Sequence, residues 1–271
     1  MTERLTTLAA VKDWLDITSD DSDVSLTRLV DAASQFVLGY LSRDSFQTRT
    51  YTQNFRGNGK DTMLLRNWPV ISVSSVGVGG TSITASSAPV NGLPGSGYRL
   101  SDPRNAPQSI DLFGYSFYYR IPCAVTYVAG FQATQDTIIP AAPEGSTYPT
   151  ITPINQGSWS NDLGVLIDGV VATKNLILEN LQAGEYFVDD WGTYSFSPDD
   201  IGKLASISYD YTPWAVNQAV TELIGEWYKR RDRIGVLSKT LGGQETITFS
   251  QKDMNESIRS SLQLYNNVVP V

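Results

Sequence analysis

Cys123-Ala124-Val125-Thr126-Tyr127-Val128-Ala129-Gly130-Phe131 reads as a β-strand, a short apolar and β-branched run of the kind that packs on a sheet. The thiol of Cys123 fits there as a small buried hydrophobe beside Val125. Upstream, Trp68-Pro69-Val70 leads into the alternating run Ile71-Ser72-Val73-Ser74-Ser75-Val76, and shorter strand patterns fall at 98–100 and 109–112. The middle of the chain is therefore antiparallel β. Earlier still, Thr48, Thr50, Thr52 and Asn54 lie opposite Arg49, Tyr51, Gln53 and Phe55, again a period of two. Gly57-Asn58-Gly59-Lys60 predicts a tight turn, and with Met63-Leu64-Leu65 a hairpin.

Beyond Phe131 the pattern changes. Residues 132–160 are rich in Pro, Thr, Ser and Gly without a period, which predicts a linker or long exposed loop. Short strand patterns resume at 163–171, 175–178, 185–188, 193–196 and 204–211, separated by Gly, Asp and Asn turns, and these predict a small all-β unit. Its closing part, from Gly184-Glu185-Tyr186-Phe187 to Tyr209, loosely echoes Gly97-Tyr98-Arg99-Leu100 to Tyr127.

Helical periods occupy the two ends. Thr7 caps a short helix with Leu8, Val11, Trp14 and Leu15 spaced three or four apart. An acidic linker follows with Asp20, Asp21 and Asp23, then a helix of about five turns from Leu26 to Leu41, capped by Asp23 or Ser22. Thr212-Pro213 starts a second long helix, 213–231, with Val216, Val220, Leu223, Ile224, Trp227 and Tyr228 on one face. Its other face, Gln218, Thr221, Glu222, Gly225 and Lys229, is small or polar and suits packing against a neighbouring copy or lining a channel. Lys229, Arg230, Arg231 and Arg233 complement the C-terminal dipole, and Arg230, Arg231 and Arg233 are candidate DNA contacts. Residues 234–250 read as irregular around Gly242-Gly243, with a strand-like run at 246–249. The last helix carries the stripe Met254, Ile258, Leu262 and Tyr265 and is marginal alone in water, so the stripe needs a covering surface. Docking on another protein or a neighbouring subunit is one reading of that stripe; folding back on the chain's own helices is the other.

The chain has 271 residues, 41% of them apolar, and 22 glycines, the composition of a folded protein of one large or two small domains. Charged residues are only 18%, so Ser, Thr, Asn and Gln carry much of the polar surface. The net charge of −8 repels a phosphate backbone and argues against a general nucleic-acid binder. With no histidine, Ser-His-Asp and Cys-His pairs and His-containing zinc sites are excluded; one cysteine excludes an internal disulfide and four-cysteine metal sites. Gly59-Lys60 is no phosphate loop, since Asn54 and Asp61 stand where a glycine and a Ser or Thr belong. The acids at 20–23 lack the glycine and terminal glutamate of a calcium loop. Asp189 with Glu185, and Asp199 with Asp200, are turn formers before they are a glycosidase pair. No window approaches 18 consecutive apolar residues and no secretory core follows Met1-Thr2-Glu3-Arg4, so a soluble protein made in a cytoplasm, without membrane contact, is expected.

The order of these pieces resembles the head-to-tail connector (adaptor) proteins of long-tailed bacteriophages. The resemblance rests on Thr7 to Leu15 with the acidic linker and long helix, on 68–73, on 125–131 and on the helix 219–232. It covers about residues 5–131 and 212–265. Connectors pass almost directly from the Val125-Thr126-Tyr127 strand to the Pro-led helix, so 132–211 looks like an insertion. The expected fold class is α+β: a small helical bundle with long helices plus antiparallel β elements, and an inserted all-β domain. The expected division is 1–131, connector core; 132–211, inserted β domain; 212–271, closing helix and C-terminal docking arm. The resemblance implies a structural virion protein, not an enzyme and without a cofactor, forming a twelvefold homo-oligomeric ring below the portal protein. Its further partners would be a tail completion or stopper protein and double-stranded DNA in transit, and it would be assembled in the host bacterial cytoplasm. A tail completion or baseplate subunit, and a carbohydrate-binding module built on Trp159 and Trp191, are the alternatives.

Overall fold

The computed structural model describes residues 3–86, 95–101, 107–153, 156–231, 238–241, 245–248 and 254–267. The chain forms two compact units: a β unit of Ser45–Asn155, Trp159–Tyr211 and Asn267–Val271, and a helical unit of Met1–Asp44, Gln156–Ser158 and Thr212–Asn266.

The β unit holds two cores. The first is built by β1 (Arg49–Arg56), β2 (Thr62–Leu64), β3 (Val70–Val78), β4 (Thr81–Ile83), β5 (Gly97–Leu100), β6 (Ser109–Phe113) and β7 (Pro122–Ala129), in sheets ordered β1-β7-β3-β4 and β2-β6-β5. β7 is interior to its sheet, antiparallel to β1 and β3, and turns Cys123, Val125, Tyr127 and Ala129 inward. They join Met63, Val76, Ile110, Leu112 and Phe117 in one core. Tyr127 is fully buried, and its hydroxyl is used: it accepts from the Asn67 amide at 3.2 Å and donates to Gln53 Oε1 at 3.3 Å.

The expected hairpin around residues 57–60 does not form. β1 pairs with β7, while β2 crosses to the other sheet and pairs with β6. The Gly57–Lys60 turn is a corner between sheets, and local turn chemistry is the same for a corner as for a hairpin.

The second core lies wholly within 132–211. β8 (Gln132–Ile138), β10 (Ser158–Ile167), β11 (Val170–Val171) and β15 (Leu204–Thr212) form a sheet ordered β11-β10-β15-β8. β9 (Thr150–Ile151), β12 (Thr173–Lys174), β13 (Glu185–Val188) and β14 (Tyr194–Phe196) form one ordered β12-β13-β14-β9. Between them lie Val165, Ile167, Tyr186, Tyr194, Phe196, Ile207 and Tyr209. Two expectations are corrected here. The stretch read as irregular contains β8, an edge strand whose half-buried positions are Ala133, Gln135 and Thr137, so its alternation carries almost no apolar signal. Conversely, 175–178 is a bend with Leu176, Ile177 and Leu178 exposed, not a strand.

The two ends of 132–211 are neighbours. The Tyr211 amide donates to the Phe131 carbonyl at 2.9 Å, and Phe131 packs against Phe46, Trp68 and Tyr211. Fully buried Asp210 accepts from Thr48 Oγ1 at 2.6 Å and from Asn161 Nδ2 at 3.1 Å.

The helical unit is α1 (Leu8–Leu15), α2 (Asp23–Tyr40), α3 (Trp214–Arg230) and α4 (Glu256–Gln263), with a hairpin of β16 (Ser238–Leu241) and β17 (Glu245–Thr248). Thr7 caps α1 as expected, accepting from the Ala10 amide at 3.1 Å. Leu26, Val30, Ala33 and Val37 of α2 are buried, as are Val216, Val220, Leu223 and Ile224 of α3. Phe36 and Trp227 meet edge to face.

The expected fold class is overturned. The chain is mostly β, with strand exceeding helix, and its described residues form four sheets of three or four strands besides the hairpin. It is not a helical bundle with long helices. The two long helices gave the clearest periods in the sequence, whereas many strands are only two to five residues long and carry weak patterns of their own.

Candidate functional site

The most distinctive surface of the first lobe is the tip where the 57–61 corner interlocks with 113–121. The Gly57 amide donates to Ile121, Arg120 to Gly57, Gly59 to Phe117 and Phe117 to Lys60, each bond 2.8 Å between backbone atoms. Only glycine fits at 57, because a Cβ there would lie 2.1 Å from the Tyr118 carbonyl oxygen. Phe117 is buried below, edge to face with Phe55. That anchor leaves Tyr118 and Tyr119 58% and 67% exposed, with Tyr115 and Ile121 beside them. The Arg120 guanidinium lies 5.2 Å from the Tyr119 ring centre and Arg56 donates to the Arg120 carbonyl, so aromatic and cationic groups are held together. Sequence reasoning missed this surface; its signal was the density of aromatics in Phe113-Gly114-Tyr115-Ser116-Phe117-Tyr118-Tyr119, where Phe113, Tyr115, Phe117 and Tyr119 recur at every second position.

A second surface is aliphatic. On the β11-β10-β15-β8 sheet, Val171 stands opposite Leu166 and Leu204 opposite Ile138, and all four are exposed. Within the β unit there is also a cleft of about 640 Å³ lined by Pro69, Ile71, Leu100, Gln108, Phe131 and Tyr211, with no charged side chain in its lining.

The residues expected to act separate into inward and outward groups. On α3, Gln218 and Lys229 are exposed and Glu222 is half-buried, with Gln218 Nε2 donating to Glu222 at 2.9 Å. Thr221 and Gly225 are buried instead. Thr221 Oγ1 shares a 2.8 Å hydrogen bond with Thr6, and a Cβ at Gly225 would lie 3.2 Å from the Trp14 indole nitrogen. These two pack α3 against the N-terminal segment rather than presenting a face to another molecule. Arg230 is half-buried, Arg231 is exposed with its guanidinium 4.5 Å from the Tyr228 ring centre, and Arg233 lies outside the described residues.

The stripe expected to dock on the portal is used within the chain. Met254, Ile258 and Leu262 are buried where α4 packs on α3, Asn255 caps α4 from Oδ1, and the half-buried Tyr265 gives its carbonyl to Arg43 Nε. An amphipathic stripe reports that a covering surface exists, and here α3 supplies it. Residues 242–244 and 268–271 of the expected arm lie outside the described residues. Leu262→Ala is accordingly expected to destabilise the helical unit by about 3 kcal/mol, read as a lower urea midpoint of helical circular dichroism; an unchanged midpoint contradicts this packing.

The weighed chemistries find structural roles. Asp189 Oδ1 accepts from the Trp191 and Thr193 amides, and buried Asp200 accepts from Lys203 and the Gly184 amide. Trp159 is half-buried, donating to the Tyr194 hydroxyl and packed over Gly192, while Trp191 is exposed. Cys123 is buried, which raises its thiol pKa and keeps it protonated. Among the described residues no helix is long and apolar enough to cross a membrane.

Residues 4–108 match the head completion protein family. The match spans α1, α2 and the first lobe through β5, and it upholds the resemblance to phage head-tail connector and completion proteins. β7, the 132–211 lobe and α3 lie outside the matched residues. No curated protein matches the chain. The family is one of structural phage proteins, so the match suggests a structural role at the phage head-tail junction, in the virion.

Proposed function

We propose that this chain is a head-to-tail connector, a non-enzymatic subunit that forms a twelvefold ring below the portal protein and joins the DNA-filled capsid to the tail. The observation that carries the reading is the match of residues 4–108 to head completion proteins. Tail completion or stopper proteins are its partners on the far side, and the ring is completed in the bacterial cytoplasm. Genome passage fits a net charge of −8, because weak repulsion lets a polyanion slide where a basic channel would hold it. The 132–211 lobe, with its own core and adjacent ends, is an insertion outside the connector core.

Removing the chain from an infection tests this role. The expected outcome is separate accumulation of heads and tails, with joining restored when the protein is supplied again. Normal yields of complete infectious particles in its absence would refute the reading.

A further inference from the structure

We propose that the tyrosine-arginine tip of the first lobe docks on the acidic loop of the helical unit in a second copy of this chain. The proposal rests on the ring reading above and names the contact that would build the ring.

Two properties of the tip mark it as a docking surface. Arg56, Lys60 and Arg120 are all exposed and none makes an ion pair among the described residues, in a chain whose net charge is −8. They surround Tyr118, Tyr119 and Ile121, with Asp61 as the neighbouring acid. Tyr and Arg are enriched among the residues that dominate binding energy at protein interfaces. The interlocking backbone bonds of 57–60 with 117–121 fix the tip in advance, so little chain entropy is lost when it binds.

The complementary surface is on the same chain. Asp13, Asp16, Asp20 and Asp21 are exposed at the end of α1 and the start of the linker. Lys12 bridges Asp20 at 2.7 Å and Asp23 at 2.9 Å, which leaves Asp13, Asp16 and Asp21 without an ion pair among the described residues. Trp14 and Val24 are exposed beside them, 52% and 69%. Each surface thus combines exposed apolar groups with uncompensated charge, and the signs are opposite, the arrangement that steers encounter and fixes register. Because tip and loop are different patches of one chain, their contact is head-to-tail, and such contacts close into rings when the rotation per subunit allows. A nucleic acid is the poorer occupant, since the tip's three cations sit on a chain that repels polyanions overall.

The test uses two full-length variants, Arg56→Glu/Arg120→Glu and Asp13→Lys/Asp21→Lys, all at exposed positions and each checked for unchanged circular dichroism. At low salt the wild-type chain should self-associate and each variant alone should not. Mixed, the variants should associate again in strict alternation, and native mass spectrometry should find equal numbers of the two in every closed ring and numbers differing by at most one in every open oligomer. Association of either variant alone at wild-type strength, or mixed oligomers of random composition, would overturn the proposal. A second arm covers a ring that closes only on the portal. Particles carrying Tyr119→Cys/Asp21→Cys should give a ladder of disulfide-linked multimers on oxidation. A visible ring without a ladder overturns the tip contact and leaves the ring reading intact; a single copy per particle overturns both.

Discussion

Asp162→Ala is expected to lower the stability of the 132–211 lobe by about 2–4 kcal/mol. Asp162 is nearly buried, and three distant segments converge on it: Tyr186 donates at 2.9 Å, Tyr194 at 3.0 Å and the Lys174 ammonium lies at 2.9 Å. Alanine would strand two hydroxyl donors in the core, while the half-exposed Lys174 loses little, being solvated. Asp162→Asn, which keeps an acceptor, should lose less. The readout is the denaturation midpoint of the β signal, and equal midpoints for wild type and Asp162→Ala would contradict this network.

The same site predicts an alkaline limit. Burial, reinforced by the Asp162 charge, pushes the Tyr186 and Tyr194 hydroxyls well above their ordinary range. The folded lobe holds these protons where the unfolded chain releases them, so the contribution is complete below about pH 10 and is lost as pH rises beyond it.

The second large effect is a deletion that leaves the rest standing. Joining Phe131 to Thr212 through a short Gly-Ser linker removes a whole core, yet the remaining chain is expected to keep its helical circular dichroism and a cooperative melt. The hydrogen bond between Tyr211 and Phe131 puts the cut ends side by side, and no strand of 132–211 pairs with β1 to β7 among the described residues. The deletion does remove Asp210 from Thr48 and Tyr211 from Phe131, so a lower midpoint is expected. Loss of both the helical signal and cooperativity would make the lobe part of the core.

What was legible in the sequence follows from what is local. Val125 and Tyr127 declared β7, and Val216, Val220, Leu223 and Ile224 declared α3, because one periodic face carries its own evidence. Pairing is not local. Nothing within residues 57–65 states that β2 will join β6 rather than β1, nor that Lys174, Tyr186 and Tyr194 will meet at Asp162. Thr221 looked like an outward polar residue, yet its hydroxyl is buried against Thr6, a partner at the other end of the chain. The stripe on α4 was visible; that α3 covers it was not.

Electron cryomicroscopy of the intact particle, with this chain located at the head-tail junction, tests the central claim most directly. The account predicts a closed ring of identical copies directly below the portal, around an axial channel wide enough for duplex DNA. Density for a single copy, for an open arrangement, or for the chain at a site remote from that junction would contradict it.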